Sequence, residues 1–386
     1  MLARRHSQAR SLGGYVPDAN DYNPGLVECF KTMTCLKYLH IYGVESLFDQ
    51  KSFVQFPPSL KYLDFGSISN AYKILSWVAK GCKDLKGLRL SGSTFSPLQT
   101  ISQMKSVEVL FDQKPFVHFP PSLKYLSFDL INNADRILSW VAKGCKNLKG
   151  LRYSGCTLSN SILQTICQMK SLTYLFLPLP IAHDIGYVFE ALTELQALEI
   201  NTLDETIITG MTKYCKKLEH LSIRNCLDHG SEIQGNILRL ASLPKLCSLT
   251  IEARYSKEQT TELIKRLVAI GNLEHIYMYT SEDPLEAEVL FEMLRQCKKI
   301  QSIALNFGQI NPDFYSKICQ VVDEIDERDS QHRESPEMTH PMVEMRYYGE
   351  MNGTIRPHKW FRLTENITVL DAFEKWEYGC LSAGKP

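Results

Sequence analysis

The chain carries no excess of charge. Its 43 Lys and Arg balance 43 Asp and Glu over 386 residues. That balance argues against a surface built to track nucleic acid or an anionic membrane. No apolar run reaches membrane-spanning length. Arg4, Arg5 and Arg10 are followed by no stretch of signal-peptide character, which predicts a soluble protein of the cytosol or nucleus. The sequons at Asn352 and Asn366 then read as chance matches. There is no phosphate loop, no G-x-S-x-G elbow and no H-E-x-x-H helix. No C-x-x-C pair occurs among the 12 cysteines, so they read as buried thiols in a reducing compartment rather than as a metal site or disulfide framework. "HLSIRNCLDHG" holds His220, Cys226, Asp228 and His229, but one strand separates His220 from Cys226 too widely for a nucleophile–base pair. These absences predict no catalytic residue, no cofactor and no metal.

What the chain has is repetition. "SWVAKGCKDLKGLRLSG" from Ser76 returns as "SWVAKGCKNLKGLRYSG" from Ser139, with 15 of 17 positions identical. The identity extends to 35 of 45 positions between residues 47–91 and 110–154, an internal duplication spanning 47–109 and 110–174. Beneath it lies a shorter period, L-x-x-L-x-L, whose alternate residues point inward from a strand. It starts at Leu36, Leu60, Leu85, Leu123, Leu148, Leu172, Leu195, Leu218, Leu246, Leu273 and Ile300, with a weaker copy at Val107. Most spacings fall within roughly 20–29 residues, the range of a leucine-rich repeat. The gap from Val107 to Leu123 is too short for a full turn and predicts an irregular or missing strand at Val107. Between strands, apolar residues recur at i, i+3 and i+4, which predicts helices with starts at Asp204, Ser256 and Asp283. Pro57–Pro58 forbids a helix before Leu60. Cys82, Cys145, Cys215 and Cys297 each stand three residues before the first apolar strand position. A small apolar thiol suits the tight corner where a helix turns into a strand.

At C-x-x-L-x-x-L-x-L-x-x-C followed by a helix, as in "CKNLKGLRYSGC" and "CKKLEHLSIRNC", the chain resembles the cysteine-containing leucine-rich repeats of F-box and ribonuclease-inhibitor-like proteins. The resemblance covers about residues 33–320 and implies an α/β solenoid, a horseshoe with a parallel concave sheet and outer helices. It implies a protein client on the concave face and substrate recognition for a cullin–RING ubiquitin ligase. A Skp-type adaptor would be the second partner if an F-box lies upstream. Residues 1–32 hold Gly13-Gly14, Pro17 and Pro24 and lack the leading Leu-Pro and helical length of an F-box. The alternative is a ligase-independent scaffold or inhibitor of the ribonuclease-inhibitor kind.

On each strand the residues beside the last two apolar positions face outward from the core. They include Tyr62, Arg89, Tyr125, Arg152 and Tyr174, then His220, Arg224, His275 and Tyr277. Tyr and Arg are enriched at protein-binding hot spots, so these nine residues are the candidate client-binding set. The tyrosines equally suit a half-buried sheet on propensity alone. The expected organisation is an N-terminal extension or cap (1–32), the solenoid (33–320), and an acidic linker with a C-terminal cap (321–386). In the last part, Asn352-Gly353 between alternating residues predicts a hairpin.

Overall fold

The structure, a computed structural model, describes residues 11–15, 32–42, 56–68, 78, 80–92, 119–129, 134–154, 158–177, 185–201, 203–224, 236–252, 256–279, 287–297, 299–305, 312–330, 343–347 and 361–365. The chain divides into two compact units, Met1–Leu195 and Gln196–Pro386.

The first unit contains strands β1 (Ser11–Tyr15), β2 (Tyr38–Tyr42), β3 (Tyr62–Ile68), β4 (Gly87–Gly92), β5 (Tyr125–Asp129), β6 (Gly150–Ser154) and β7 (Tyr174–Leu177). Each pairs in parallel with the next. The register aligns the repeat positions: Leu39, Leu63, Leu88, Leu126, Leu151 and Leu175 form one continuous row. All six are at most 3% exposed, so stacked leucines fill the core between the sheet and its return segments. Leu90, Phe128 and Tyr153 occupy the next inward row and are also buried. The duplicated copy therefore accommodates a tyrosine where the first has a leucine.

The second unit contains β8 (Ala197–Ile200), β9 (His220–Ile223), β10 (Ser248–Glu252), β11 (His275–Tyr279), β12 (Ser302–Leu305), β13 (Val343–Tyr347) and β14 (Phe361–Glu365). These too pair in parallel in chain order. Leu198, Leu221, Leu249, Ile276 and Ile303 make its leucine row, all at most 1% exposed.

A repeated backbone corner precedes the strands. The amide of the first repeat leucine donates to the carbonyl three residues back: Leu60 to Pro57, Leu85 to Cys82, Leu123 to Pro120, Leu148 to Cys145 and Leu218 to Cys215, at 3.0–3.2 Å. Where the corner is cysteine, its own amide closes the preceding turn. Cys82 donates to Val78, Cys145 to Val141, Cys215 to Met211 and Cys297 to Met293. Proline has no amide to give. The Pro57 and Pro120 repeats therefore arrive without that bond, and Phe56 and Phe119 are buried just before the prolines. The next two amides share one acceptor on the previous repeat: those of Lys86 and Gly87 both reach Lys61 O, at 2.7 and 3.1 Å.

Helices return the chain between strands. In the first unit these are α1 (Ala134–Gly144), α2 (Asn160–Ile166) and α3 (Gly186–Ala191). Ile137, Leu138, Val141 and Ala142 form the buried stripe of α1, the 3.6-residue period read in the sequence. In the second unit they are α4 (Glu205–Tyr214), a 3₁₀ turn (Ile237–Ser242), α5 (Lys257–Val268), α6 (Ala287–Gln296) and α7 (Pro312–Ser330). Asp204 caps α4 by accepting from the Ile207 amide at 2.8 Å. Ser256 and Gln259 cap α5 reciprocally, satisfying donors the helix leaves open. Asp283 lies outside the described residues.

Each unit is a segment of an α/β leucine-rich-repeat solenoid. Eleven of the twelve repeat starts lead into strands. Val107 lies outside the described residues, but β4 pairs directly with β5, Leu88 opposite Leu126, so no strand from that repeat stands between them. Asn352-Gly353 lies outside the described residues, and the flanking strands β13 and β14 run parallel, Met345 opposite Leu363. A two-residue turn on its own would join antiparallel strands rather than a parallel pair. β1, in the expected N-terminal extension, also joins its sheet as a parallel strand.

Candidate functional site

The face of each sheet opposite the leucines carries the predicted binding residues. In the first unit, register places Tyr38, Tyr62, Gly87, Tyr125, Gly150 and Tyr174 in one row. Tyr38 and Tyr62 stack with centroids 4.8 Å apart and planes 7° from parallel. The glycines make room for the rings on the neighbouring strands. A Cβ on Gly87 would meet Tyr62 Cδ1 at 2.7 Å, and one on Gly150 would meet Tyr125 Cδ1 at 2.7 Å and Tyr174 Cδ1 at 3.3 Å. Burial, then the neighbouring phenols of Tyr38 and Tyr125, push the Tyr62 hydroxyl above its ordinary pKa. Tyr38 is exposed, Tyr62 and Tyr125 are half-buried, and Tyr174 is buried.

The second row of this unit reads His40, Asp64, Arg89, Ser127, Arg152, Phe176. His40 Nδ1 lies 2.7 Å from Asp64 Oδ2, and Arg89 Nη1 lies 4.0 Å from the same oxygen. Arg152 lies over the Phe176 ring, 4.1 Å from its centroid. Between the two arginines, Ser127 Oγ is buried and makes no hydrogen bond.

The second unit is built differently. Glu199 is fully buried, and Arg224 Nε lies 2.7 Å from its Oε1, with only 12% of the arginine side chain exposed. Register sets Glu199 opposite Ser222, so Arg224 reaches it diagonally from just past the end of β9. Ser222 Oγ and His275 Nδ1 are buried without a hydrogen bond. Tyr277 Oη pairs with Ser302 Oγ at 3.2 Å. Burial lowers the pKa of both His220 and His275, against a partial upward pull from Glu219 on His220 and from Glu274 on both.

The structure thus brings Tyr62, Arg89, Tyr125, Arg152 and Tyr174 onto adjoining rows of one sheet. His220, Arg224, His275 and Tyr277 belong to the other unit. Arg224 is committed to a buried carboxylate, which makes it a stabilising residue of that unit. The sequence placed Asp64, Glu199 and Ser127 on the outward face without including them in the candidate set. All three occupy the same outward positions as the chosen residues, and matching strands by their equal repeat spacing would have placed Asp64 beside Arg89.

The cysteine corners carry no sign of reactivity. Burial pushes Cys82 and Cys215 up to about 12, and Cys145 and Cys297 up to about 11. Among the described residues, no group of three His, Cys, Asp or Glu side chains is placed to hold a metal. No helix among them is long and apolar enough to cross a membrane.

No family model matches the chain, and no curated protein matches it. Among solved structures, the crystal structure of a TLR13–ssRNA13 complex is similar at 18% identity with a TM-score of 0.32. That match covers 80% of this chain and 37% of the other, so this chain spans well under two thirds of its length.

Proposed function

We propose that the chain is a non-enzymatic protein-interaction module that engages a protein client through the polar face of its first-unit sheet. The observation that carries this reading is the order of that face. Tyr38 and Tyr62 are pre-stacked, Arg152 is held over Phe176, and Arg89 stands 41% exposed beside Asp64. Side chains already fixed lose little rotamer freedom on binding, and Tyr and Arg are the usual anchors of such contacts. In its finer form the client is a substrate delivered to a cullin–RING ubiquitin ligase in the cytosol or nucleus. The support for that form is the resemblance of the cysteine-bearing repeats to F-box proteins. A ligase-independent scaffold or inhibitor is the second reading, since the repeats alone supply the binding face.

The test compares partners captured by the wild-type chain, by the Arg89→Glu/Arg152→Glu variant and by a Lys170→Glu control at an exposed site on the return segment. Loss of a partner from the double variant alone supports the face. An unchanged partner set removes it. Binding to a purified Skp-type adaptor separates the ligase reading from the scaffold reading.

A further inference from the structure

The residue after the first repeat leucine is lysine on five successive strands of the first unit. Lys37, Lys61, Lys86, Lys124 and Lys149 lead into β2 to β6. Backbone bonds hold them in one row. The amide of Lys61 donates to Lys37 O at 2.9 Å, Lys86 to Lys61 O at 2.7 Å, Lys124 to Lys86 O at 2.8 Å and Lys149 to Lys124 O at 2.7 Å. With strands about 4.8 Å apart, the five cations line about 19 Å of the edge where the strands begin. The Val107 repeat has Glu108 at this position, and because β4 pairs directly with β5 no strand from it interrupts the row. Lys61 is half-buried and lies 3.1 Å from Asp84. The second copy has Asn147 in place of Asp84, so Lys124 lacks the counterpart of that carboxylate. Lys37, Lys86, Lys124 and Lys149 are exposed and make no ion pair among the described residues. Like charges directly opposite one another on neighbouring strands are unfavourable, and a bound anion would relieve them. The excess is local to this unit. Met1–Leu195 has 21 Lys and Arg against 14 Asp and Glu, while Gln196–Pro386 has 22 against 29. The equivalent row of the second unit reads Gln196, Glu219, Cys247, Glu274, Gln301.

We propose that this lysine row is the docking track for an acidic segment of the client protein, a run of Asp and Glu in extended form. The inference rests on the reading of the adjoining face as a client surface. A track of about 19 Å holds about six extended residues. Lysine supplies compact point charges without the fork by which arginine reads one phosphate or carboxylate, which suits a run of acids better than a single anion. A single-stranded nucleic acid would add base stacking on open aromatic faces. In the neighbouring row Tyr62 is stacked on Tyr38, and Tyr125 and Tyr174 lie against Gly150, so those rings are taken up by the sheet itself.

The probe is a fluorescent octaglutamate peptide titrated with the full chain at low salt, with a degenerate single-stranded RNA of the same charge alongside. The chain should bind the peptide, and about 0.5 M NaCl should release it. Lys86→Glu/Lys124→Glu should weaken binding at least about tenfold. Lys265→Glu/Lys317→Glu makes the same charge change at exposed helix positions of the second unit and should change binding by less than about twofold. Asp84→Asn, which releases Lys61 and copies the Asn147 corner, should tighten binding about two- to threefold, a gain that misfolding does not produce. Equal weakening by the two reversal variants overturns the proposal, as do absence of peptide binding at low salt and RNA binding without peptide binding. Self-association that Lys86→Glu/Lys124→Glu abolishes, with no peptide bound, also overturns it, because the occupant is then a second copy of the chain. Partners captured from a lysate tell the two levels apart. A partner lost by Arg89→Glu/Arg152→Glu but kept by Lys86→Glu/Lys124→Glu leaves the client face standing and removes the lysine track.

Discussion

The ring of Tyr125 lies over Gly150 so closely that a Cβ there would meet Cδ1 at 2.7 Å, while Tyr174 closes the other side at 3.3 Å. Glycine normally weakens a strand; here, as the first residue of β6, it is the slot that lets two tyrosines lie against the sheet. Gly150→Ala should therefore cost about 1–3 kcal/mol, as overpacking does. Gly87→Ala should cost less, because only the half-exposed Tyr62 ring must move away. Gly144→Ala is the control. Nothing lies within 4 Å of its Cβ, and an alanine at a helical position that accepts it should be neutral or stabilising by up to about 1 kcal/mol. Denaturation midpoints of the three variants check the order; a Gly150→Ala as stable as wild type would contradict the packing.

The Glu199–Arg224 pair makes a sharper prediction. Arg224→Met removes the guanidinium from a fully buried carboxylate and should destabilise by about 3–5 kcal/mol, whereas replacing both partners by apolar residues of similar volume should recover most of that loss. The comparison of single and double variants by urea unfolding measures it. A single variant of near wild-type stability would mean that the carboxylate is satisfied without Arg224.

The repeat strands were legible in the sequence because their signal is redundant. Leu63, Leu88, Leu126 and Leu151 each recur with the same neighbours, and each is buried as the period requires. Helix starts at Asp204 and Ser256 were legible because one polar side chain decides them. The strand at the N-terminal end was not, and neither was the way the two C-terminal strands pair. "SLGGY", "VEMRY" and "FRLTE" lack the leucine frame, and the alternation around Asn352-Gly353 does not report that β13 pairs in parallel with β14. The outward residues were legible as a face but not as partners. Whether an arginine on that face is exposed like Arg89 or buried against a carboxylate like Arg224 depends on the neighbouring strand, and repeat spacing alone does not report charge pairing across it.

His220 and His275 give the second unit a pH dependence. Burial lowers both pKa values in the folded state, so below the unfolded value near 6.5 the unfolded chain takes up protons that the folded chain does not. Stability should be fully present above about pH 7 and decline as pH falls through 6.5 toward the lowered folded values. Urea midpoints at about pH 7.5 and about pH 5.5 should differ more in wild type than in a His220→Gln/His275→Gln variant. Equal losses in the two proteins would assign the acid sensitivity to other groups.

The cysteine corners predict selective thiol chemistry. Thiolate is the reacting form, and burial holds Cys82, Cys145, Cys215 and Cys297 at about 11 to 12. Cys35 is exposed. Brief iodoacetamide treatment near neutral pH, followed by peptide mapping, should alkylate Cys35 and leave these four untouched until denaturant is added. Corner positions in other repeats are filled by Met169, Leu243 and Ile270, whose carbonyls make the same bond to the following leucine. The corner thus needs a buried apolar side chain and a free carbonyl, and the thiol chemistry is incidental to it. Cys215→Ala should accordingly keep the fold at a cost of about 1 kcal/mol for the lost volume, while Cys215→Asp, which buries a charge at the same corner, should unfold the repeat. Rapid alkylation of Cys215 in the native protein would contradict both expectations.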